Sequence, residues 1–355
     1  MTGTRINRAV VLAQRPRGLP DDSTWRVEER PIAALERGQV LVAVRECSLD
    51  PAMRGWLDDR PSYLPPVGID EVMRAMVVGE VVESQVNSLP VGTWVLGALG
   101  VQEYAVASAG ALTRIDADLG TPSEYLGVLG TTGLTAYFGL FEHGRPRAGD
   151  TVVVSAAAGG VGSIVGQLAR LSGARVVGIA GGPEKCAYVT EALGFDASID
   201  YREGDVRRAL RKACPAGIDV YFDNVGGQIL DDALANLAMG ARVVICGAIS
   251  QYNINPDHAA GGQPSGPANY LSLLVRRGTM SGFLVFDYAD RYAIARQRLS
   301  AWVKSGEIVA RQTVVSGGVE DFPATLLALF SGDNWGKLSL RLDVTGADVT
   351  GAGPR

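Results

Sequence analysis

Histidine and cysteine are scarce in this sequence, with two and four residues among 355. The histidines lie far apart in the chain. The cysteines show no paired spacing of the kind found in zinc fingers or in disulfide-rich secreted domains, and they suit a reducing compartment. We therefore expect neither a structural metal nor a disulfide framework. The residues concerned are His143, His258, Cys47, Cys186, Cys214 and Cys246.

The chain also lacks a basic block and a long apolar run. Its 33 Lys and Arg against 38 Asp and Glu give a net charge of −5, which argues against nucleic acid as the main partner. There is no apolar run of the length that a membrane span needs, and the N-terminal segment has no apolar core of a secretory signal. With 47% hydrophobic and 20% charged residues, we expect a soluble, cytoplasmic, globular protein.

What the chain does contain is a strand, a glycine-rich turn and a helix between residues 150 and 172. Four β-formers, 151–154, precede the turn, and apolar residues at helical spacing follow it. This order is typical of a dinucleotide-binding unit, in which backbone N–H groups at a helix N-terminus approach a pyrophosphate. The turn reads A-x-x-G-x-x-G, so an alanine replaces the usual first glycine.

The character of the sequence changes near Tyr125. Short strands with Gly/Pro turns precede this point and suggest a barrel-like domain, whereas alternating strands and helices follow it and imply a parallel sheet. The closing strands need partners, for which the β-rich part is the expected place. We therefore predict an α/β protein with one domain over 1–128 and 306–355, including a frayed tail over 344–355, and a nucleotide-binding domain over 129–305.

Within the second domain, the pattern predicts a helix over 228–237, a strand over 279–285 and a helix over 288–304. A loop over 247–267, rich in glycine and proline, interrupts the alternation. Loops of this length inside compact domains are usually functional or mobile.

The second strand of the nucleotide-binding unit ends in Gly181 and Gly182, without a carboxylate. Enzymes that use NAD place Asp or Glu near this point to bind the ribose hydroxyls, so its absence leaves room for the 2′-phosphate of NADP. Lys185 offers a positive partner and Tyr201 a hydroxyl. The alternative is that Lys185 is a solvated lysine, although the helix dipole disfavours a lysine in a first turn. NADP(H) is therefore the predicted cofactor.

Several segments together carry a more specific resemblance. Besides the glycine-rich turn, they are VYFDNVGG at 220–227, VVICGAISQYN at 243–253 and GDNWGK at 332–337. From about Arg8 to Leu342 the chain resembles the zinc-independent medium-chain dehydrogenase/reductases, and within them the prostaglandin reductase and alkenal/enone double-bond reductase group. The resemblance implies a GroES-like catalytic domain, a Rossmann domain and a homodimer. It also implies NADPH-dependent hydride transfer to the β-carbon of a small-molecule enone or enal, without metal.

The resemblance also assigns roles to residues. It implies that Tyr252 is catalytic and contacts the substrate carbonyl oxygen; the alternative is a tyrosine that only packs on the cofactor. Lys185 and Tyr201 match the positions at the 2′-phosphate. At Thr132 the chain differs from many relatives, and we interpret its hydroxyl as a donor near the nicotinamide. The glycine-rich turn and the strand tip contribute Gly159, Gly160, Val161, Gly162 and Gly181. The positions implied to line the nicotinamide half are Asn224, Cys246, Gly247, Ala248, Ile249, Ser250, Tyr252, Phe283, Leu284, Val285 and Asn334.

The sequence departs from the pattern of the family in two segments. The family's D-P-Y-M-R has Ala52 in place of its tyrosine here, which leaves the preferred substrate size open. The loop 130–133 reads GTTG where many relatives have GMPG. A quinone reductase of the same superfamily and a non-catalytic NADPH-binding redox sensor are the alternative functions.

Related alcohol dehydrogenases bind a catalytic zinc ion through cysteine and histidine ligands. Cys47 falls where their first cysteine ligand stands, but the following strand lacks the Gly-His-Glu that supplies the histidine ligand. No four-cysteine lobe for structural zinc is present either. We therefore expect no metal and interpret Cys47 as a small buried hydrophobic residue.

Overall fold

The computed structural model describes residues 5–254 and 266–343. The predicted tail over 344–355 and part of the loop over 247–267 lie outside these residues. The chain forms two compact units. The first comprises Met1–Leu126, Val314–Ser331 and Leu338–Arg355, and the second comprises Gly127–Thr313 and Gly332–Lys337. The short segment Gly332–Lys337 thus groups with the nucleotide-binding half, whereas the sequence analysis assigned it to the other domain.

The strands and helices of the described residues are numbered in chain order. The strands are β1 (Ile6–Leu12), β2 (Trp25–Pro31), β3 (Gln39–Leu49), β4 (Val77–Ser84), β5 (Trp94–Gly97), β6 (Tyr104–Ser108), β7 (Thr113–Arg114), β8 (Thr151–Ser155), β9 (Arg175–Ala180), β10 (Ala197–Asp200), β11 (Ile218–Asp223), β12 (Leu237–Ile245), β13 (Thr279–Gly282), β14 (Gln312–Gly317) and β15 (Lys337–Leu342). The α-helices are α1 (Thr131–Phe138), α2 (Gly160–Leu171), α3 (Pro183–Ala187), α4 (Val206–Ala213), α5 (Gly227–Leu234), α6 (Leu271–Arg276), α7 (Tyr292–Lys304) and α8 (Phe322–Ser331).

The first unit is mainly antiparallel β-structure. Its larger sheet has the order β14-β15-β3-β4-β5-β7, with β6 paired to β3, and β1 pairs with β2 in a separate ribbon. The strand β3 is buried along most of its length, because β15, β4 and β6 flank it and α8 packs against it. Phe322 of α8 is fully buried in this core and meets Trp25 edge to face at 5.2 Å between ring centroids.

The second unit is built on a parallel six-stranded sheet of order β10-β9-β8-β11-β12-β13. All five residues of β8 are buried, as expected for a parallel strand covered by helices on both faces. Numbered from β8, the order is 3-2-1-4-5-6, which is that of dinucleotide-binding folds. The predicted combination of a β-rich part and a parallel α/β part is therefore confirmed.

One helix of the second unit is shorter than the sequence pattern predicted. The helix α5 ends at Leu234 rather than at Leu237, and Leu237 is already the first residue of β12. The cause is Asn236, whose side-chain amide donates to the carbonyl of Asp232 at 2.8 Å and so caps the last turn. The apolar side chain of Leu237 fits either element, so periodicity alone could not place this boundary.

The predicted strand over 279–285 is likewise too long. The strand β13 ends at Gly282, and a 3-10 helix follows over Val285–Arg291. The next helix, α7, begins at Tyr292 rather than at Tyr288, because Tyr288 has the non-helical dihedrals φ −111° and ψ 18°. Phe283 and Leu284 therefore lie in a connection and not in the sheet.

The strand β13 forms one edge of the six-stranded sheet, and the helix before it is markedly apolar on its exposed side. Leu274 and Val275 of α6 have 74% and 67% of their surface exposed. Unpaired strand edges and exposed apolar patches are hazards that natural proteins usually cover.

Among the described residues no helix has the length and apolar character that a membrane crossing requires.

We predict that this edge is covered by a second copy of the chain, as the family resemblance implies. Light scattering at micromolar concentration should give the mass of a dimer. Leu274→Glu should shift it toward the monomer, because the change places a charge in the apolar surface. Leu19→Glu, which alters a leucine of the first unit that is 52% exposed, serves as the control and should leave the mass unchanged. A monomeric wild-type chain would contradict the prediction.

Candidate functional site

The candidate site lies at the carboxyl edge of the parallel sheet. The strands β8 and β11 are neighbours there, and the strand order reverses between them, which is where open α/β sheets bind their ligands. The chain leaves β8 through the glycine-rich turn, β11 through residues 224–226 and β12 through residues 246–252. The sequence-predicted residues of these three connections are thus brought to one edge by the topology.

The glycine-rich turn forms a cradle that fits a pyrophosphate. Gly159 is the N-cap of the twelve-residue helix α2. Because it carries no side chain, it cannot accept hydrogen bonds from the first N–H groups of the helix, which stay available to a ligand. A Cβ atom added at Gly162 would overlap the carbonyl oxygen of Ala156 and lie 2.9 Å from its carbonyl carbon. Ala156, which replaces the usual first glycine, keeps the left-handed backbone with φ 50°. The turn therefore retains the glycine-type conformation despite its alanine.

Two other predicted residues lie at this turn. Thr132 is buried in the first turn of α1, and a Cβ atom at Gly160 would lie 3.0 Å from its methyl carbon. Val161, the second residue of α2, is half-buried. Thr132 is thus next to the pyrophosphate cradle, and its hydroxyl contact near the nicotinamide stays a prediction.

The connection after β11 is fixed by the buried carboxylate of Asp223. Its Oδ1 accepts hydrogen bonds from the hydroxyls of Tyr221 at 2.9 Å and Ser155 at 3.1 Å, and from the N–H groups of Val225 and Gly226 at 3.0 Å. Burial raises the pKa of Asp223, and these hydrogen bonds oppose the rise. Asn224 is held in turn, since its amide donates to the carbonyl of Ser155 at 2.7 Å.

The connection after β12 is hydrogen-bonded to the connection after β11. The N–H groups of Cys246 and Gly247 donate to the carbonyl of Asp223 at 2.9 and 3.1 Å. Ile249 donates to the carbonyl of Asn224 at 3.3 Å, and Ser250 donates to the carbonyl of Val225 through both its N–H and its hydroxyl. The predicted residues 246–250 and Asn224 therefore form one hydrogen-bonded body at the end of the sheet.

Tyr252 folds back over the start of this connection. Its hydroxyl oxygen accepts a hydrogen bond from the N–H of Ala248 at 3.1 Å. A Cβ atom at Gly247 would lie 2.8 Å from the same oxygen, so a larger residue at 247 would push the phenol away. Burial and the charge of Asp223 raise the pKa of Cys246 to about 12, which keeps this neighbouring thiol protonated at neutral pH. The connection thus presents the Tyr252 hydroxyl and a protonated thiol, not a thiolate.

Residues 283–285 follow the carboxyl end of β13, which pairs with β12 at Ile245. The ring of Phe283 stacks on His143 with centroids 5.1 Å apart and meets Phe222 edge to face at 6.5 Å. Val285 is buried, and Leu284 is half-buried. Because β12 and β13 are parallel neighbours, this segment begins at the same edge of the sheet as the connection 246–252, and its lining of the nicotinamide half stays a prediction.

The tip of β9 holds the residues predicted for the 2′-phosphate. The ring of Tyr201 lies against Gly181, with 2.8 Å between its Cε1 and the position of a Cβ atom. Lys185 is half-buried, and its Nζ donates to the carbonyls of Gly332 and Asn334 at 2.6 and 2.7 Å. Desolvation, and next the charge of Arg202, lower the pKa of Lys185. Lys185 is therefore a fixed cation rather than a solvated one.

Asn334 lies with Lys185 and the glycine-rich turn. Two residues after it, the N–H of Gly336 donates to the carbonyl of Ala158 at 2.9 Å. The structure thus places the main chain of Asn334 beside Lys185, and the role at the nicotinamide half that the resemblance implied stays a prediction.

Three residues of this edge were not identified from the sequence. Ser155 and Asp223 close the strands β8 and β11, and a polar residue at the end of each neighbouring strand was the signal that could have indicated them. The third, Arg202, directly follows the predicted Tyr201. It was missed because charged residues in exposed turns are common.

Cys47 lies inside the core of the first unit, near the carboxyl end of β3. Burial raises its thiol pKa far above the usual range, so a thiolate ligand is strongly disfavoured there. In residues 5–254 and 266–343 no group of three or more His, Cys, Asp or Glu side chains could hold a metal ion. His258 lies outside the described residues.

Comparison with known proteins agrees with this architecture. Residues 8–115 match the family model of an N-terminal domain of oxidoreductases, and residues 160–301 match that of the zinc-binding dehydrogenases. The chain is 42% identical to the NADPH-dependent curcumin reductase of Escherichia coli, over 95% of this chain and 97% of the relative. It is 36% identical to the NADP(+)-dependent 2-alkenal reductase of Nicotiana tabacum, over 93% and 96% respectively.

A solved structure is similar over the same extent. The crystal structure of CurA from Vibrio vulnificus in complex with NADPH has a TM-score of 0.87 and 41% identity, and covers 95% of this chain and 99% of that chain. Together with the parallel sheet and the glycine-rich turn, these matches show that the chain belongs to the medium-chain dehydrogenase/reductase superfamily.

Proposed function

We propose that this chain is an NADPH-dependent oxidoreductase that reduces the carbon–carbon double bond of α,β-unsaturated aldehydes and ketones, without a metal ion. Its use of NADP(H) follows from its family and from relatives that are NADP-dependent. The observation that carries the reaction type is the position of Tyr252, a hydroxyl held on a connection that is hydrogen-bonded to the cofactor edge of the sheet. Two relatives are named for curcumin and 2-alkenals, which are conjugated carbonyl compounds.

The residues of the chain divide the work of cofactor binding. The N–H groups at the start of α2 would hold the pyrophosphate, Lys185 would pair with the 2′-phosphate, and the connection 246–252 would lie along the nicotinamide half. When bound, NADPH supplies the hydride. Since Cys246 stays protonated and Cys47 is buried in a core, neither thiol serves as a nucleophile.

The chemical task of the protein is to stabilise charge on the substrate. Addition of a hydride to the β-carbon leaves negative charge on the carbonyl oxygen as an enolate. A hydroxyl that already accepts a hydrogen bond is polarised and becomes a better donor, so the Tyr252 hydroxyl suits donation to this oxygen. The α-carbon then takes a proton, from Tyr252 or from solvent.

The proposal is tested by the product. Incubation with NADPH carrying deuterium at C4 and an enone should give the saturated carbonyl compound with deuterium at the β-carbon, as measured by NMR. A parallel assay with quinones tests the quinone reductase alternative. Faster NADPH oxidation with quinones than with aliphatic, cyclic and aromatic enones would overturn the proposal, and no oxidation with either class would indicate a cofactor-binding sensor.

The preference for NADPH gives a prediction for Lys185. Lys185→Ala should weaken NADPH binding about tenfold or more, since a hydrogen bond to a charged group is worth about 1.5–3 kcal/mol. The affinity for NADH should hardly change, because NADH has no 2′-phosphate. Fluorescence titration with both cofactors measures the two affinities. An equal loss for both would show that Lys185 acts only by holding residues 332–334.

The metal-free reaction gives a second prediction. Dialysis against a strong chelator should leave the rate of enone reduction unchanged, because the described residues contain no ligand set for a metal. Metal analysis before dialysis provides the control. Stoichiometric zinc, together with activity that is lost on chelation and restored by zinc, would contradict the expectation.

A further inference from the structure

The tip of β9 carries a second cation besides Lys185. Arg202 acts on Lys185 as a like charge. Its guanidinium group lies close to Gly182 and Gly332, with nitrogens 3.8 and 3.5 Å from the positions that Cβ atoms would take there. The corner between the end of β9 and residues 332–334 therefore contains both an ammonium and a guanidinium group.

The position of Arg202 is fixed by its main chain. Asp200, the last residue of β10, accepts hydrogen bonds through Oδ1 from the N–H groups of Gly182 and Arg202, both at 2.9 Å. This carboxylate ties the turn that follows β10 to the tip of β9. The guanidinium carbon also lies 5.8 Å from the centroid of the Tyr201 ring, so the side chain extends along a surface that the fold determines.

Two like charges side by side are unfavourable unless an anion compensates them. In the part of the chain that the structure describes, Arg202 has no ion pair with a carboxylate. Asp333 favours the charged form of Lys185, but its effect is smaller than that of Arg202. Lys185 uses two of its three donors on the carbonyls of Gly332 and Asn334, which leaves one for an incoming acceptor. The corner thus has the charge and the donors to bind a dianion.

We propose that Arg202 is a second cationic ligand of the cofactor's 2′-phosphate and, with Lys185, determines the preference for NADPH over NADH. The inference rests on the proposed use of NADPH. A guanidinium group offers several donors in a planar fork that matches phosphate oxygens. Asp200 positions Arg202 by accepting the hydrogen bond from its N–H. Arg202 lies in this corner because it follows Tyr201 directly in the turn after β10.

The test uses binding and needs no enone. Arg202→Gln should weaken binding of 2′,5′-ADP and NADPH about tenfold and leave binding of 5′-AMP and NADH within about twofold, as measured by calorimetry. Arg202→Lys should retain most of the preference because it keeps the charge. Arg211→Gln removes an exposed arginine of α4 in the same unit and is the matched control, with no expected change. Thermal unfolding of each variant verifies that it is folded.

Two results would overturn the inference. An equal loss of 2′,5′-ADP and 5′-AMP affinity in Arg202→Gln would mean that the guanidinium group stacks on the adenine, which both ligands share. Unchanged affinities for all four ligands would mean that Arg202 is a surface residue without a role in binding. Since enone reduction is not measured, a chain that binds NADPH through Arg202 but reduces no enone would refute the proposed function alone.

Discussion

Replacing Tyr252 by phenylalanine should slow hydride transfer to an enone about tenfold to a hundredfold. Removing one preorganised donor from an oxyanion site costs about 2.7–4 kcal/mol in strong cases. We expect less here, because the nicotinamide ribose hydroxyl of bound NADPH would be a second donor that the substitution leaves in place. Phenylalanine keeps the ring and its packing, so NADPH affinity should stay within about twofold. Single-turnover oxidation of NADPH measures the hydride step without product release.

A control is needed because the Tyr252 hydroxyl also accepts from the N–H of Ala248. The loss of this hydrogen bond could slow the reaction by loosening the connection 246–252. Ser250→Ala removes a comparable contact, the hydrogen bond from the Ser250 hydroxyl to the carbonyl of Val225 at 2.6 Å. If loosening were the cause, both variants would lose NADPH affinity together. An unchanged single-turnover rate in Tyr252→Phe would reduce the role of this tyrosine to packing.

Gly162→Ala is expected to weaken the binding of both cofactors. The added methyl group would overlap the backbone of Ala156, and a main-chain atom inside a tight turn cannot move aside as a flexible side chain can. Overpacking of this kind costs about 1–3 kcal/mol, so binding of NADPH and NADH should each weaken about tenfold or more. The midpoint of thermal unfolding should fall as well. Equal loss for both cofactors distinguishes this change from Lys185→Ala.

Gly159→Ala provides the graded comparison for that prediction. Gly159 has an ordinary φ of −84°, and the nearest atom to its added methyl group would be the Ala156 oxygen at 3.1 Å. A small shift accommodates this contact, so the loss of affinity should be clearly smaller than for Gly162→Ala. If the two variants behaved alike, steric conflict with Ala156 would not explain the requirement for glycine at 162.

Much of the fold could be predicted because hydrophobic periodicity and glycine-rich turns act locally. The closing segment was expected to be a strand, and in β15, Lys337–Leu342, leucines alternate with polar residues at the period of a strand. The end of α5 was not, because the capping amide of Asn236 is a single side-chain contact that leaves no periodic trace. The early end of β13 was missed because Val285 is apolar and buried, as a strand residue would be, although it begins a 3-10 helix.

The parts of the candidate site that lie in one contiguous segment could be predicted from the sequence. The contacts between segments that are distant in the chain could not. The glycine-rich turn, Lys185 and Tyr252 were found from sequence segments. The hydrogen bond from Ser155 to Asp223 joins two strands, and the two residues are 68 positions apart in the chain, so sequence alone could not indicate it. The partners of Lys185 are more distant still, since Gly332 and Asn334 follow α8.

The contact of Lys185 with Gly332 and Asn334 affects how this chain can be recombined with its relatives. The chain passes from one unit to the other four times, and the final visit to the second unit is only the six residues Gly332–Lys337. A chimera that exchanged Gly127–Thr313 as a single cassette would pair the donor's Lys185 with the recipient's residues 332–334. Cofactor preference would then depend on whether the two parents match in this short segment. We expect exchanges that carry both pieces together to preserve it.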